Sequence, residues 1–186
     1  MPRRLPKIFT EFVVASFGED VLAELAEIVP AMQMAGAVEK SLDSVMVTSV
    51  QVLAERTGKT ASSIFNMFGE SLLSRLLEDY QELYADDGDG DINFQLFLSR
   101  IESLLHTELK KVIAYSDLPK IDCSIVNAHE YELTYRSPRK LCAILEGVVT
   151  AAANHFHVKY QLKHKPCMNQ GAGHCVLAIQ EVTGEN

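Results

Sequence analysis

The chain has no long apolar run: none of its hydrophobic stretches approaches the roughly 20 residues that a membrane-spanning helix needs, so no membrane span is expected. It also has no surplus of positive charge. Seventeen Lys and Arg stand against twenty-five Asp and Glu, a net charge of −8. Nucleic-acid binding would show a basic patch or stripe, and none is present. No internal repeat is evident. No serine or cysteine stands in a convincing nucleophile–base pair, and no Gly-rich phosphate loop occurs, because Gly171-Ala172-Gly173 reads only as a turn. An enzyme is therefore not expected. Cysteine is sparse, at four residues. The basic start, Met1-Pro2-Arg3-Arg4, is followed by the apolar Phe12–Phe17. Glu11 precedes that run and Glu19-Asp20 follow it; it is too short for a signal-peptide core and reads as a helix. A cytoplasmic location follows, in which cysteines serve as thiols or metal ligands rather than structural disulfides.

What the chain does have is apolar bulk, 47% of 186 residues, enough for one domain with a sizeable core. Residues 1–75 read as helical. Phe9, Phe12, Val13 and Phe17 fall at helical spacing, with Gly18 as a stop. Val21, Leu22, Leu25 and Ile28 make a second stripe, ended by Pro30. A third helix runs from about Leu42 to Arg56 and stops at Gly58. A fourth starts near Ala61, carries Ile64, Phe65, Phe68, Leu72, Leu73 and Leu76, and reaches toward Tyr84. The acidic stretch 85–91 suggests an EF-hand but fails it: with Asp87 first, Ile92 falls where glycine is required and Leu98 where the bidentate glutamate belongs. It reads as a solvated loop that divides a helical lobe (1–84) from a mixed lobe (91–186).

The mixed lobe opens with a long helix, about Asn93 to Tyr115, capped by Asp91 or Asn93. Phe94, Phe97, Leu98, Ile101, Leu104, Leu105 and Val112 form its stripe, and His106 lies on the flank near Leu109 and Ile113. Residues 121–127 and 130–136 read as a hairpin across Ala128-His129. A helix follows from Pro138 to about His155, then strands over His157–Lys163 and Cys175–Val182. The class is α+β: a helical N-terminal lobe on a C-terminal lobe with a mainly antiparallel, four-stranded sheet and helices.

One stretch concentrates chemistry. Tyr131, Leu133 and Tyr135 alternate with polar residues as in a strand. Ser137-Pro138 then reads as an N-cap and first-turn proline. Tyr135, Ser137 and Arg139 thus bring a phenol, a hydroxyl and a guanidinium to a helix N-terminus, a place suited to a carboxylate or phosphate. Tyr135-x-Ser137-x-Arg139, following the helical His106, resembles the signature of the heme-nitric oxide/oxygen binding (H-NOX) family. The likeness extends to Thr57-Gly58-Lys59, Leu118-Pro119 and the length of the chain, and the start at Pro2-Arg3-Arg4 departs from the family's small residues.

The resemblance implies a stand-alone bacterial H-NOX domain holding heme b between the two lobes. His106 would be the proximal iron ligand, and Tyr135, Ser137 and Arg139 would grip the propionates. Pro119, Ile144, Leu72, Leu109 and Leu145 would line the pocket, with Pro119 pressing on the porphyrin. Ile144 stands where oxygen-binding members place a tyrosine, so the apolar wall implies nitric oxide and carbon monoxide as ligands, without a stable oxy complex. The implied function is a nitric oxide sensor, not an enzyme, that works through loss of the His–iron bond. Its implied partner is a separate histidine kinase or cyclic-di-GMP enzyme.

A second group of donors lies near the C-terminus. His164 ends one strand and Cys175 begins the next, so pairing brings them close, with Cys167 in the loop between. A tetrahedral zinc site needs a fourth ligand. Cys142 is the first candidate, with His174 and Cys123 behind it. Some stand-alone bacterial H-NOX proteins carry a Cys-His-Cys-Cys zinc site, and the resemblance matches it to Cys142, His164, Cys167 and Cys175. The alternative function is accordingly a thiol or zinc redox sensor acting through this site.

Overall fold

In the computed structural model, residues 4–29, 39–79, 93–109 and 118–182 are described. The acidic stretch 85–91, Tyr84, the helix beyond Leu109, Ile113, Pro30 and residues 1–3 lie outside them, as do the side chains of Leu42, Leu76 and Leu109. The helices are α1 (Arg4–Phe17), α2 (Glu19–Ile28), α3 (Glu39–Thr57), α4 (Ala61–Asp79), α5 (Phe94–Leu109) and α6 (Cys142–His155). The strands are β1 (Lys120–Asn127), β2 (Glu130–Arg136), β3 (Tyr160–His164) and β4 (Cys175–Glu181). They form one antiparallel sheet in the order β1-β2-β4-β3. The expected α+β class is what the fold has.

Local chemistry explains most boundaries. Gly18, at φ +96°, separates α1 from α2, and Gly58, at φ +70°, ends α3. These left-handed conformations suit a residue without Cβ. The Thr60 hydroxyl accepts the Ser63 N–H at 3.1 Å and starts α4. Asn93 Oδ1 accepts the Leu96 N–H at 2.9 Å, so Asn93 caps α5. The α2 stripe differs from expectation at its end. Val21 and Leu25 are buried, but Ile28 is 52% exposed and Val29 fills the core instead. At Val29 the backbone leaves the helical region (φ −123°), so the last inward side chain moves one residue on.

The helices pack around phenylalanines. Phe68 of α4 meets Phe9 edge-on at 5.3 Å and Phe12 at 5.4 Å. Phe94 of α5 stands edge-on to Tyr131 of β2 at 6.0 Å, and Phe97 meets Phe156. The stripe of α5 is buried from Phe94 to Leu105, so α5 lies on the sheet while its flank stays available. Between α4 and α6 the approach is closer still. A Cβ on Gly69 would overlap the Ile144 carbonyl, and one on Gly147 would overlap the Asn66 carbonyl. Both glycines are there because backbone meets backbone.

In the sheet, Tyr131, Leu133 and Tyr135 of β2 face inward with Cys175, Leu177 and Ile179 of β4. Cross-strand register pairs Tyr135 with Cys175 and Leu133 with Leu177. β3 pairs His164 with Leu177. β3 begins at Tyr160 rather than His157, because His157 holds φ +56° and its N–H returns to the Asn154 carbonyl. That is a helix ending and not a strand.

Candidate functional site

The strand-to-helix junction differs from the sequence expectation in one way that matters. Ser137 does not cap α6 and Pro138 is not in its first turn. Ser137 accepts the Arg139 N–H through Oγ at 3.3 Å and the Lys140 N–H through its carbonyl at 3.2 Å, which closes a turn. Lys140 then takes φ +53° and breaks any helix running from Pro138, so α6 starts at Cys142. The Tyr135 hydroxyl accepts the Leu141 N–H at 3.2 Å and serves one of the donors that a helix start leaves open.

Tyr135 and Ser137 are both 4% exposed, and the two side chains are hydrogen-bonded. Burial, above all, pushes the Tyr135 phenol up from 10.0 to about 12; bonds from Ser137 and the Leu141 N–H pull the other way. It therefore stays a neutral hydroxyl at physiological pH. Arg139 is half-buried beside them. Two buried hydroxyls and a guanidinium within one turn make a donor set for carboxylates.

His106 is half-buried on α5, its Nε2 at 2.6 Å from the Pro119 carbonyl. Glu102, one turn earlier, lies 3.8 Å from the same nitrogen and accepts the Ile121 N–H at 3.2 Å. The start of β1 is thereby tied to the helix that carries the imidazole. Pro119 and Leu118 are buried, as are Leu72 at 4% and Leu145 at 2% exposure, while Ile144 is partly buried against the core. An axial nitrogen, polar groups for two carboxylates and an apolar wall are what a heme requires. The residues present fit that group.

The second donor set is more compact. Ligand atoms of Cys142, His164, Cys167 and Cys175 all lie within 4.8 Å of one another. Cys142 comes from the first turn of α6, His164 from the end of β3, Cys175 from the start of β4 and Cys167 from the loop between. Cys142 Sγ and Cys167 Sγ are 3.9 Å apart. Thiolates about 2.3 Å from a tetrahedral zinc would be about 3.8 Å apart. His164 Nδ1 contacts Glu146 Oε1, and its Nε2 is buried without a hydrogen-bond partner. The Met168 N–H points at Cys175 Sγ at 3.2 Å and the Asn169 amide at Cys142 Sγ at 3.4 Å. Burial first, then the neighbouring thiols, pushes the Cys142 thiol far up, and burial raises Cys175 too. Three buried thiolates cannot persist together without a cation. The set fits a divalent metal. The alternatives are not drawn in: Cys123 and His174 stand outside this group.

Sequence reading missed Glu146, Asn169 and Glu102. Glu146 and Glu102 each stand four residues from a candidate ligand on the same helix, Cys142 and His106, and that spacing is the signal that could have exposed them.

An imidazole on a helix flank, a buried hydroxyl–guanidinium turn and an apolar wall in an α+β fold are features that a heme-binding domain would use. Residues 4–164 match the family HNOB, Haem-NO-binding. Among solved structures, the chain is similar to an H-NOX protein from S. oneidensis in the Fe(II)NO ligation state. The identity is 29%, over 98% of this chain and 100% of that one, with a TM-score of 0.81. An H-NOX domain from Shewanella oneidensis in the Fe(II)CO state matches at 28% identity, over 99% and 100% of the two chains, with a TM-score of 0.81. An unliganded Fe(II) H-NOX mutant from K. algicida, 18% identical over 99% and 98%, shares the fold with a TM-score of 0.79. No curated protein matches. The chain belongs to the haem-NO-binding, or H-NOX, family of gas-binding heme sensors. Among the described residues no helix is long and apolar enough to cross a membrane.

Proposed function

We propose that the chain is a nitric oxide sensor that uses heme b and regulates a separate signalling protein, of the histidine kinase or cyclic-di-GMP enzyme kind, in the cytoplasm. The observation that carries this reading is the placement of His106 on α5 against Pro119, next to a strand whose partner ends in the buried Tyr135–Ser137 pair. The likeness to the S. oneidensis protein with nitric oxide on its iron supports it.

Heme, when bound, would supply an iron that binds nitric oxide. His106 is the residue that would ligate that iron. Tyr135, Ser137 and Arg139 would hold the propionates, and Pro119 would pack against the ring. Were His106 freed by nitric oxide, it would no longer tie α5 to the cofactor, and the Pro119 carbonyl, 2.6 Å from Nε2, would offer the imidazole an acceptor. α5 and the sheet can then shift against the helical lobe, and the difference in stability between the two arrangements is the signal.

Ile144, Leu72, Leu145 and Leu109 form the proposed apolar wall. Bound dioxygen carries partial negative charge and needs a donor, which aliphatic side chains do not supply. Nitric oxide and carbon monoxide do not need it. The test is the absorption spectrum of the ferrous protein, alone, with each gas and in air. Nitric oxide and carbon monoxide complexes without a stable oxy complex are expected; a lasting oxy spectrum in air overturns the assignment.

A second reading is favoured by the convergence of Cys142, His164, Cys167 and Cys175: a redox-sensing zinc centre, in which a two-electron oxidant such as a peroxide would be reduced to water or an alcohol while two of the thiolates pair as a disulfide and the metal is lost. Metal analysis of the reduced protein tests it. Stoichiometric zinc is expected, and substoichiometric zinc marks the four residues as ordinary thiols and a histidine.

A further inference from the structure

Glu146 belongs to neither donor set described above. It sits four residues after Cys142 on α6, so the two side chains share one face of the helix, a turn apart. Its Oε1 contacts Nδ1 of His164. The side chains are 24% and 15% exposed, respectively, a half-buried pair and not a solvent-facing one. The other ring nitrogen, Nε2, is buried with no partner.

These facts constrain the imidazole. A carboxylate only accepts hydrogen bonds, so Nδ1 must carry the proton. A second proton on Nε2 would leave a buried N–H with no acceptor, which is costly. The tautomer consistent with both contacts has its proton on Nδ1 and its lone pair on Nε2. The pattern in which a carboxylate holds the far nitrogen of a ligating histidine fixes both the tautomer and the ring orientation.

We propose that Glu146 is the positioning residue of the metal centre: it holds the Nδ1–H of His164 so that Nε2 presents its lone pair to the cation gathered by Cys142, Cys167 and Cys175. This rests on the zinc reading above and deepens it. One turn of α6 then supplies both a thiolate and the support for the histidine from β3. The metal therefore joins α6 to the β3–β4 connection at two points instead of one. Negative charge would otherwise accumulate, since three thiolates around a divalent ion already leave a net negative centre before Glu146 is added. The Met168 N–H to Cys175 and the Asn169 amide to Cys142 are placed to offset it.

The experiment is zinc affinity of the heme-loaded full-length protein, measured by competition with a chromophoric chelator, for wild type, Glu146→Ala and Glu146→Gln. The Ala variant is expected to bind zinc about 10- to 100-fold more weakly. The Gln variant, whose amide oxygen can still accept the Nδ1–H, should fall between the two. A long-range proton–nitrogen NMR spectrum of the zinc-loaded protein should show a protected His164 Nδ1–H in wild type that exchanges rapidly in Glu146→Ala. Retained protection in Glu146→Gln, which keeps an acceptor for the Nδ1–H, separates loss of the hydrogen bond from loss of packing. Ala and wild-type affinities within twofold, or an unaltered Nδ1–H signal, would overturn the role of Glu146 while leaving the zinc centre standing. Wild-type protein that takes up no zinc would overturn both. Should the Ala variant fail to fold, Glu146→Gln equal to wild type in affinity is the overturning result, and a several-fold loss is the expected one.

Discussion

The two donor sets lie side by side and are built on opposite principles. Around Cys142, His164, Cys167 and Cys175, three elements and one loop bring four ligand atoms within 4.8 Å, and the histidine nitrogen left over has no protein partner. Around His106 and Tyr135, each of the three polar side chains has a backbone partner, besides the bond between Tyr135 and Ser137. His106 meets the Pro119 carbonyl, Tyr135 the Leu141 N–H and Ser137 the Arg139 N–H. A small ion needs a closed cage, and sheet register can build one. A large planar cofactor would be held at its rim and face by groups that can exchange one partner for another, as the proposed switching requires. The two sets also touch: Tyr135 pairs across the strands with Cys175, and the N–H it accepts is that of Leu141, next to Cys142.

The largest expected effect separates the sets outright. His106→Gly should abolish the partner's response to nitric oxide while zinc content stays at the wild-type level; activity assays with and without the gas, beside metal analysis, read both. A retained response would mean that this imidazole is not the sensing ligand. Cys175→Ser is the reciprocal change. Its sulfur is fully buried, so zinc should be lost and Tm lowered, whereas the ferrous spectrum with nitric oxide should persist. If removing either set destroys the other, the contact between Tyr135 and the Cys175 strand couples the two sites.

Gly147→Ala probes the helix the two sets share. The new methyl would overlap the Asn66 carbonyl and crowd the Glu70 N–H, so α4 and α6 must part. Overpacking of this kind costs about 1–3 kcal/mol, and Tm should fall by roughly 2–4 °C for each of them. Calorimetry checks the stability, and a shifted heme spectrum would place the strain beside Ile144. An unchanged Tm would show that the close approach is loose.

The smallest effect at neutral pH concerns Tyr135. Its folded-state pKa is raised from 10.0 to about 12, so the folded state holds this proton more tightly than the unfolded chain. That contribution is complete below about pH 10 and is lost as pH rises through about 12, at most about 3 kcal/mol. Tyr135→Phe should lose less stability across that alkaline window. At neutral pH it should be about 1 kcal/mol weaker, because the Leu141 N–H loses its acceptor. Denaturant melts at pH 7 and pH 11 measure both; parallel losses in the two proteins would contradict the burial of the phenol.

Much of this was readable from side-chain order. The second strand of the β1–β2 hairpin follows from its alternation and the stripe of α5 from its period, while the cap of α5, open between Asp91 and Asn93 in the sequence, is Asn93 in the structure. His164, Cys167 and Cys175 follow from strand pairing and a short loop. What was not readable depends on backbone states that several residue types adopt. Nothing in Ser-Pro-Arg-Lys distinguishes a capped helix from a turn closed by a left-handed lysine; Lys140 at φ +53° settles it, because β2 aims the Tyr135 hydroxyl at Leu141. His157 at φ +56° shortens β3 in the same unforeseen way.

Periodicity and residue chemistry alone determined the α+β class, the imidazole on a helix flank and the soft-ligand character of the C-terminal region, because hydrophobic spacing and donor type are properties of the chain itself. Only the tertiary structure decided that Gly69 and Gly147 face each other across a helix pair, that Cys142 completes the cluster, and that Glu146 stands behind His164. Those are relations between segments distant in sequence, and packing alone chooses which of the many sterically allowed neighbours each residue meets.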